Sequence, residues 1–190
     1  MTTGSTPASI VNQSLTQIAG QFTVTGTLPN FDGSAAGIAA GILYAPTVAL
    51  LLRQEDYEFS RNDVTLTAAS VTPPYPWSHV YLYPTDCLRI RQVKPATWNA
   101  NDPQAVRWTE MEVMISGTQT RVIACNVSGA VLTYTTNDVT ENEWDGIFQE
   151  TFVRTLASEL AISLAGRPDF SEKMLGIAGS LVQVGAGRDS

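Results

Sequence analysis

Residues 140–166 read TENEWDGIFQETFVRTLASELAISLAG. Thr140 with Glu143 three residues on is a capping-box pattern, in which two side chains satisfy backbone N–H groups that a helix start leaves unpaired. Behind it, Trp144, Ile147, Phe148, Phe152, Leu156, Leu160 and Leu164 recur at helical spacing and trace one apolar face. Gly166 suits a helix end and Pro168 a stop. The spacing therefore predicts a long amphipathic helix over 140–166. A second helix follows over 170–184, with Met174, Leu175, Ala178, Leu181 and Val182 as its buried face. Residues 185–190 are expected to be a flexible tail.

Upstream the period changes from helical to alternating. Val64, Leu66 and Ala68 alternate within 63–71, and 88–93 alternates again. Further extended runs are predicted at 77–84, 107–115, 120–126 and 130–136, with turns at Gly117 and Gly129. Pro73-Pro74-Tyr75-Pro76 makes a stiff connector. Four or five short strands imply a small antiparallel sheet. Before them, helices are expected at 7–18 and 34–54. Thr6 caps the first, Pro7 opens it, and Val11, Leu15 and Ile18 share its face. Asp32 or Ser34 caps the second, whose Ile38, Ile42, Ala45, Ala49 and Leu52 recur at helical spacing, with a kink or restart at Pro46. The small residues Ala35, Ala36, Gly37, Ala39, Ala40 and Gly41 would let another backbone approach closely. The fold class is thus α+β. A bundle of about four helices, from 7–54 and 140–184, carries an inserted antiparallel β-rich lobe over 62–137, in a single domain over 1–190.

Charge narrows the function. Eleven basic and 18 acidic residues among 190 leave a net charge of −7. Gripping DNA phosphates requires clustered Lys and Arg, so tight DNA binding is excluded, though an acidic wall can face DNA without holding it. Charged residues make up only 15%, against about 25% in a typical soluble domain. Such a surface leaves area to bury against partners. Cys87 and Cys125 are too few for a disulfide framework. The opening residues lack the basic and apolar regions of a leader. The longest apolar run, 38–52, is interrupted by Gly41 and Pro46 and is expected to be too short to span a membrane.

The residues of catalysis are scarce. His79 is the only histidine, so any Ser–His or Cys–His mechanism must pass through it. It lies in an aromatic run, where a packed or surface role is the plainer reading. Glu55, Asp56 and Glu58 cluster at a helix end, where carboxylates are ordinarily solvated. No metal-ligand spacing and no phosphate-binding loop occurs. Arg89, Arg91 and Lys94 form a basic patch better explained by salt bridges than by nucleic acid. Tyr75, Trp77, Tyr81 and Tyr83 are ordinary core material, with an interface as second reading. No catalytic residue, cofactor or metal is expected.

Five segments carry a resemblance. They are Ile10-Val-Asn-Gln-Ser-Leu-Thr-Gln-Ile18; Phe31-Asp-Gly-Ser34 with the Ala-rich helix through Tyr44-Ala-Pro46 to Arg53; Asp56-Tyr-Glu-Phe59 leading to Arg61; Tyr81-Leu-Tyr-Pro-Thr-Asp-Cys-Leu-Arg89; and the helix from Trp144 to Gly166. In this order and spacing the chain resembles the tail tubular, or head-to-tail adaptor, proteins of short-tailed bacteriophages. Tyr57 stands where that family often has Trp, and Tyr83 where it often has Leu. The resemblance implies a non-enzymatic virion protein of the neck, assembled in the host cytoplasm. It implies a homo-oligomeric ring of twelve copies between the portal protein and a tail nozzle. Double-stranded DNA would pass through the channel without specific binding, and no membrane insertion is implied. Partner contacts are expected at Trp77, Tyr81 and Tyr83, facing the nozzle or a neighbouring subunit. Leu181, Arg188 and Asp189 are expected in a C-terminal segment reaching toward the portal. A stopper-type neck protein, a carbohydrate-binding module and a small hydrolase are the alternatives.

Overall fold

The computed structural model describes residues 5–18, 22–97, 106–165 and 168–186. The protein has an α+β fold, in which the described residues form four helices and two small antiparallel sheets. It divides into two compact units, one formed by Met1–Phe59 with Val139–Ser190, the other by Ser60–Asp138.

The first unit is helical. Helix α1 spans Pro7–Ile18. At its start Thr6 Oγ1 accepts from the Ser9 N–H at 3.2 Å, and Ser9 Oγ accepts from the Thr6 N–H at 3.0 Å. Ser9 thus does what Glu does in the usual box. Ile10, Val11, Ser14, Leu15 and Ile18 are buried. Asn12 grips the returning chain with two hydrogen bonds, Nδ2 to Val24 O at 2.9 Å and Val24 N–H to Oδ1 at 2.8 Å.

Helix α2 spans Ala35–Gln54, and Ser34 caps it by accepting from the Gly37 N–H at 3.0 Å. It runs unbroken through Pro46, where a kink or restart was expected. Pro46 and Ile42 are both exposed, so the carbonyl that loses its donor lies on the solvent side, where water can satisfy it. The buried face also differs from the expected one. Ala36, Gly37, Ala40, Tyr44, Thr47, Leu51 and Leu52 point inward, while Ile38, Ile42 and Ala45 point out. Close packing decides this. A Cβ on Gly41 would lie 1.6 Å from Pro29 O, and one on Gly37 would lie 2.7 Å from Asp32 Oδ1. The loop before α2 folds onto the glycine side, and at Gly41, where the neighbour is backbone, only Gly admits it.

Helix α3 spans Gly146–Ala165 and starts later than the capping box suggested. Thr140 and Glu143 do make their side-chain bonds, Thr140 Oγ1 to Glu143 Oε2 at 3.0 Å, but around an isolated turn. The helix cap is Asp145, whose Oδ1 accepts from the Phe148 N–H at 2.7 Å. From Thr151 to Ser158 only Arg154 is not buried, so α3 is covered nearly all round rather than on one face. It packs against α1, α2 and α4. Its buried hydroxyls are satisfied within the helix: Thr151 donates to Ile147 O at 2.8 Å, Thr155 to Thr151 O at 2.9 Å and Ser158 to Thr155 O at 2.7 Å. Helix α4 spans Pro168–Ala186. Pro168 opens it, because the first helical position needs no N–H donor, and α3 ends before it at Ala165; Gly166 lies outside the described residues. Ser171, Met174 and Ala178 are buried, whereas Leu175, expected inside, is exposed.

The described residues of the second unit form six strands in two three-stranded sheets, where one sheet was expected. Strands β1 (Arg61–Thr65), β6 (Val131–Thr136) and β3 (Cys87–Lys94) form the first, in the order β1-β6-β3. Strands β2 (His79–Leu82), β5 (Thr118–Cys125) and β4 (Trp108–Ile115) form the second, in the order β2-β5-β4. The stretch predicted as one strand over 63–71 serves both. After β1 the Leu66 N–H donates to Ala130 O at 2.9 Å; the chain then crosses, and the Ala69 N–H donates to Val80 O at 2.8 Å beside β2. A strand that switches sheets is a recurrent corner in packed β structures.

One apolar cluster joins Leu132, Tyr134 and Val93 of the first sheet to Tyr81, Ile123 and Cys125 of the second. On the second sheet's other face, Val80, Val122 and Ala124 pack against Val71, Trp77, Met111, Val113 and Ile115. The second half of β5 is therefore covered on both sides, which is why Val122-Ile-Ala-Cys125 is continuously apolar.

Candidate assembly surfaces

The three aromatic residues expected at a partner contact do not share a surface. Tyr81 is 4% exposed and belongs to the core between the sheets, its hydroxyl donating to Val127 O at 2.7 Å. Alternation in β2 fixes this: Tyr81 and Val80 must point to opposite faces, and Val80 takes the outer one. Trp77 is half-buried on that outer face, with the Arg107 guanidinium carbon 5.7 Å from its ring centroid. Tyr83 is half-buried on the inner side, with the Arg121 guanidinium carbon 4.2 Å from its ring centroid. Arg121 also pairs with Glu110 across the β4–β5 ladder. Burial, with the Cys87 thiol beside it, holds the Tyr83 hydroxyl above its ordinary pKa. Tyr81 and Tyr83 thus lie on the inner side and Trp77 on the outer, so the three do not form one surface, and Tyr81 is buried in the core. Leu181 lies half-buried on α4; Arg188 and Asp189 lie outside the described residues.

His79 is half-buried in β2, its ring 6.2 Å from that of Tyr81. Of the basic patch, Lys94 pairs with Asp63 at 3.1 Å. Arg91 donates to Thr135 Oγ1 at 3.0 Å and Ser60 Oγ at 3.2 Å. Register shifts between Cys87 and Arg89 and between Ile90 and Gln92 break the simple alternation expected for Arg89 and Arg91. Glu55, Asp56 and Glu58 follow the end of α2, leading into a short 3₁₀ turn at Glu58–Ser60. Among the described residues, no three His, Cys, Asp or Glu side chains stand together as a metal-holding group.

Asp86 has a role that sequence patterning missed. Its Oδ2 accepts from Tyr134 OH at 2.8 Å and Thr136 Oγ1 at 2.7 Å, and its carbonyl accepts from the Asn137 N–H at 3.0 Å. It ties the turn before β3 to the end of β6. Burial opposes the charged carboxylate, but the Thr136 and Tyr134 hydroxyls together outweigh it, so Asp86 titrates below its ordinary value. Burial and this carboxylate push Tyr134 up to about 12.

Exposed apolar side chains recur along the helical unit. Along α2, Ile38 is 45%, Ile42 67% and Leu50 47% exposed, and Leu175 on α4 is 49% exposed. Beside Leu50 an open groove of about 150 Å³ is lined by Leu51 and Gln54 of α2, Thr151 and Thr155 of α3, and Leu175, Ala178, Gly179 and Val182 of α4. The two Thr hydroxyls are engaged with helix carbonyls, so apart from Gln54 the groove walls are mostly hydrocarbon. The signal in the sequence was size rather than polarity, with Ala36, Gly37 and Ala40 on the buried side of α2 and Ile38 and Ile42 on the other. By length and composition α2 could cross a membrane, having 20 residues and a mean hydropathy of 1.9, which corrects the expectation that its apolar run is too short. Tyr44 and Thr47 nevertheless hydrogen-bond Glu141 and Glu159 at 3.0 Å each, as a helix built into a protein core does.

No protein-family model matches the sequence, and no curated protein is similar to it.

Proposed function

We propose that this chain is a structural, non-enzymatic subunit of a homo-oligomeric ring that adapts a phage portal to its tail nozzle. Twelve copies would enclose a channel through which double-stranded DNA passes. The observation that carries the assembly reading is the exposed apolar surface of α2 and α4 on a chain with few charges. A protein working alone gains nothing from Ile42 in water, whereas a subunit gains by burying it. The adaptor reading rests on the resemblance of the opening helix, of the Tyr81–Arg89 segment and of α3 to that phage family. The net charge of −7 suits a wall that DNA slides past.

Mass photometry of the protein mixed with portal rings from the same phage tests it. Added mass should saturate at one copy per portal subunit, because closed rings bind stoichiometrically. No association across a range of salt concentrations would overturn the adaptor reading.

A further inference from the structure

We propose that Ile38 and Ile42 of one copy seat in the groove between α2 and α4 of the next, head to tail. The proposal deepens the ring reading and rests on it for closure. Its grounds are three features of the same helical unit.

The first is charge. From Ala35 to Leu52, α2 holds no Asp, Glu, Lys or Arg. Copies carrying −7 each repel across most faces, and nucleic acid or an anionic bilayer would be repelled as well. A long charge-free face is where two such copies meet at least electrostatic cost. The second is shape. Ile38 and Ile42 stand one turn apart in one line, and the groove between Leu50 and Leu175 offers mostly hydrocarbon walls to receive them. Leu50 lies about 12 Å along α2 from Ile42 and roughly 80° around it. A neighbour seated on the isoleucines therefore leaves the groove open for another copy, which is the geometry of a heterologous contact. The third is area. Ile38 and Ile42 on one side of the contact and Leu50 and Leu175 on the other together expose roughly 400 Å² of apolar surface, about a quarter of the total that both partners bury in a standard interface. The exposed Ala35, Ala45 and Pro46 extend it along the same helix.

Cysteine cross-linking of the full chain at high concentration tests the contact. Ile42→Cys and Leu175→Cys replace exposed side chains, so folding should survive; circular dichroism checks that. Mixed together, the two single variants should form disulfide-linked dimers that neither forms alone. The double variant should form a ladder of oligomers ending at the closed ring. Ile42→Glu, which would place an unpaired charge in a dry contact, should weaken self-association by about tenfold or more. Absence of any 42–175 cross-link overturns the proposal. Dimers alone from the double variant overturn the head-to-tail arrangement in favour of a twofold one. Binding to phosphatidylcholine vesicles in place of cross-linking would assign the face to a membrane and overturn it too. A ladder without portal binding would keep this contact and remove the adaptor reading; portal binding without the cross-link would do the reverse.

Discussion

Asp86 shows how one side chain couples ionisation to fold. The charged carboxylate accepts from Tyr134 and Thr136, so folding favours its ionised form. A carboxyl whose folded pKa is depressed stabilises the protein above its ordinary value of about 3.9. That contribution is lost as pH falls below this value and through the folded pKa. Tyr134 acts in the opposite window: its neutral form is favoured, so its contribution is present below about 10 and is lost as pH rises toward 12. Asp86→Asn removes the charge and keeps the shape. It should cost about 1–2 kcal/mol at neutral pH, and the gap to the parent should narrow at strongly acidic pH. Urea denaturation across the acid range measures both. Asp63, also held below its ordinary value, acts as an internal control, because its bonds from Thr133 and Lys94 remain. A variant that tracks the parent at every pH would remove Asp86 from this role.

Helix α2 shows how far an element's behaviour departs from its own sequence. Propensity alone says that each interior Gly weakens a helix by about 1 kcal/mol relative to Ala. At Gly176 in α4 a Cβ would meet nothing within 4 Å, so Gly176→Ala should stabilise by about 0.5–1 kcal/mol. At Gly41 the same change drives a methyl into the Pro29 carbonyl. Gly41→Ala should therefore destabilise by about 2 kcal/mol or more. Thermal unfolding of the two variants side by side checks the reversal of sign. Helix α3 makes the complementary point. Its apolar residues were legible at helical spacing, but coverage on nearly every side was not, because Thr151, Thr155 and Ser158 look polar until their hydroxyls turn back on the helix.

At the scale of the molecule, the unit Ser60–Asp138 is continuous in sequence and has its own apolar cluster, whereas the helical unit is assembled from two distant segments. A fragment covering 60–138 should fold by itself, with a β-type circular dichroism spectrum and a cooperative melt. The segment 139–190 alone should not, since α3 needs the faces of α1 and α2 to cover it. An unfolded 60–138 fragment would show that this unit depends on the helices.

The amino-acid sequence by itself determined the α+β class, the span of α1, the existence of all four helices and the turns at Gly117 and Gly129. These follow from caps, periodicity and backbone freedom, which act within a few residues. Tertiary structure alone decided that α2 turns Ala36, Gly37 and Ala40 inward and Ile38 and Ile42 out, that the described strands divide into two sheets, and that Tyr81 joins the cluster between the sheets while Trp77 packs on the outer face. These outcomes depend on which distant backbone reaches a given side chain first, as the Pro29 carbonyl reaches Gly41. Close packing of that kind is a property of the folded chain, and no local pattern records it.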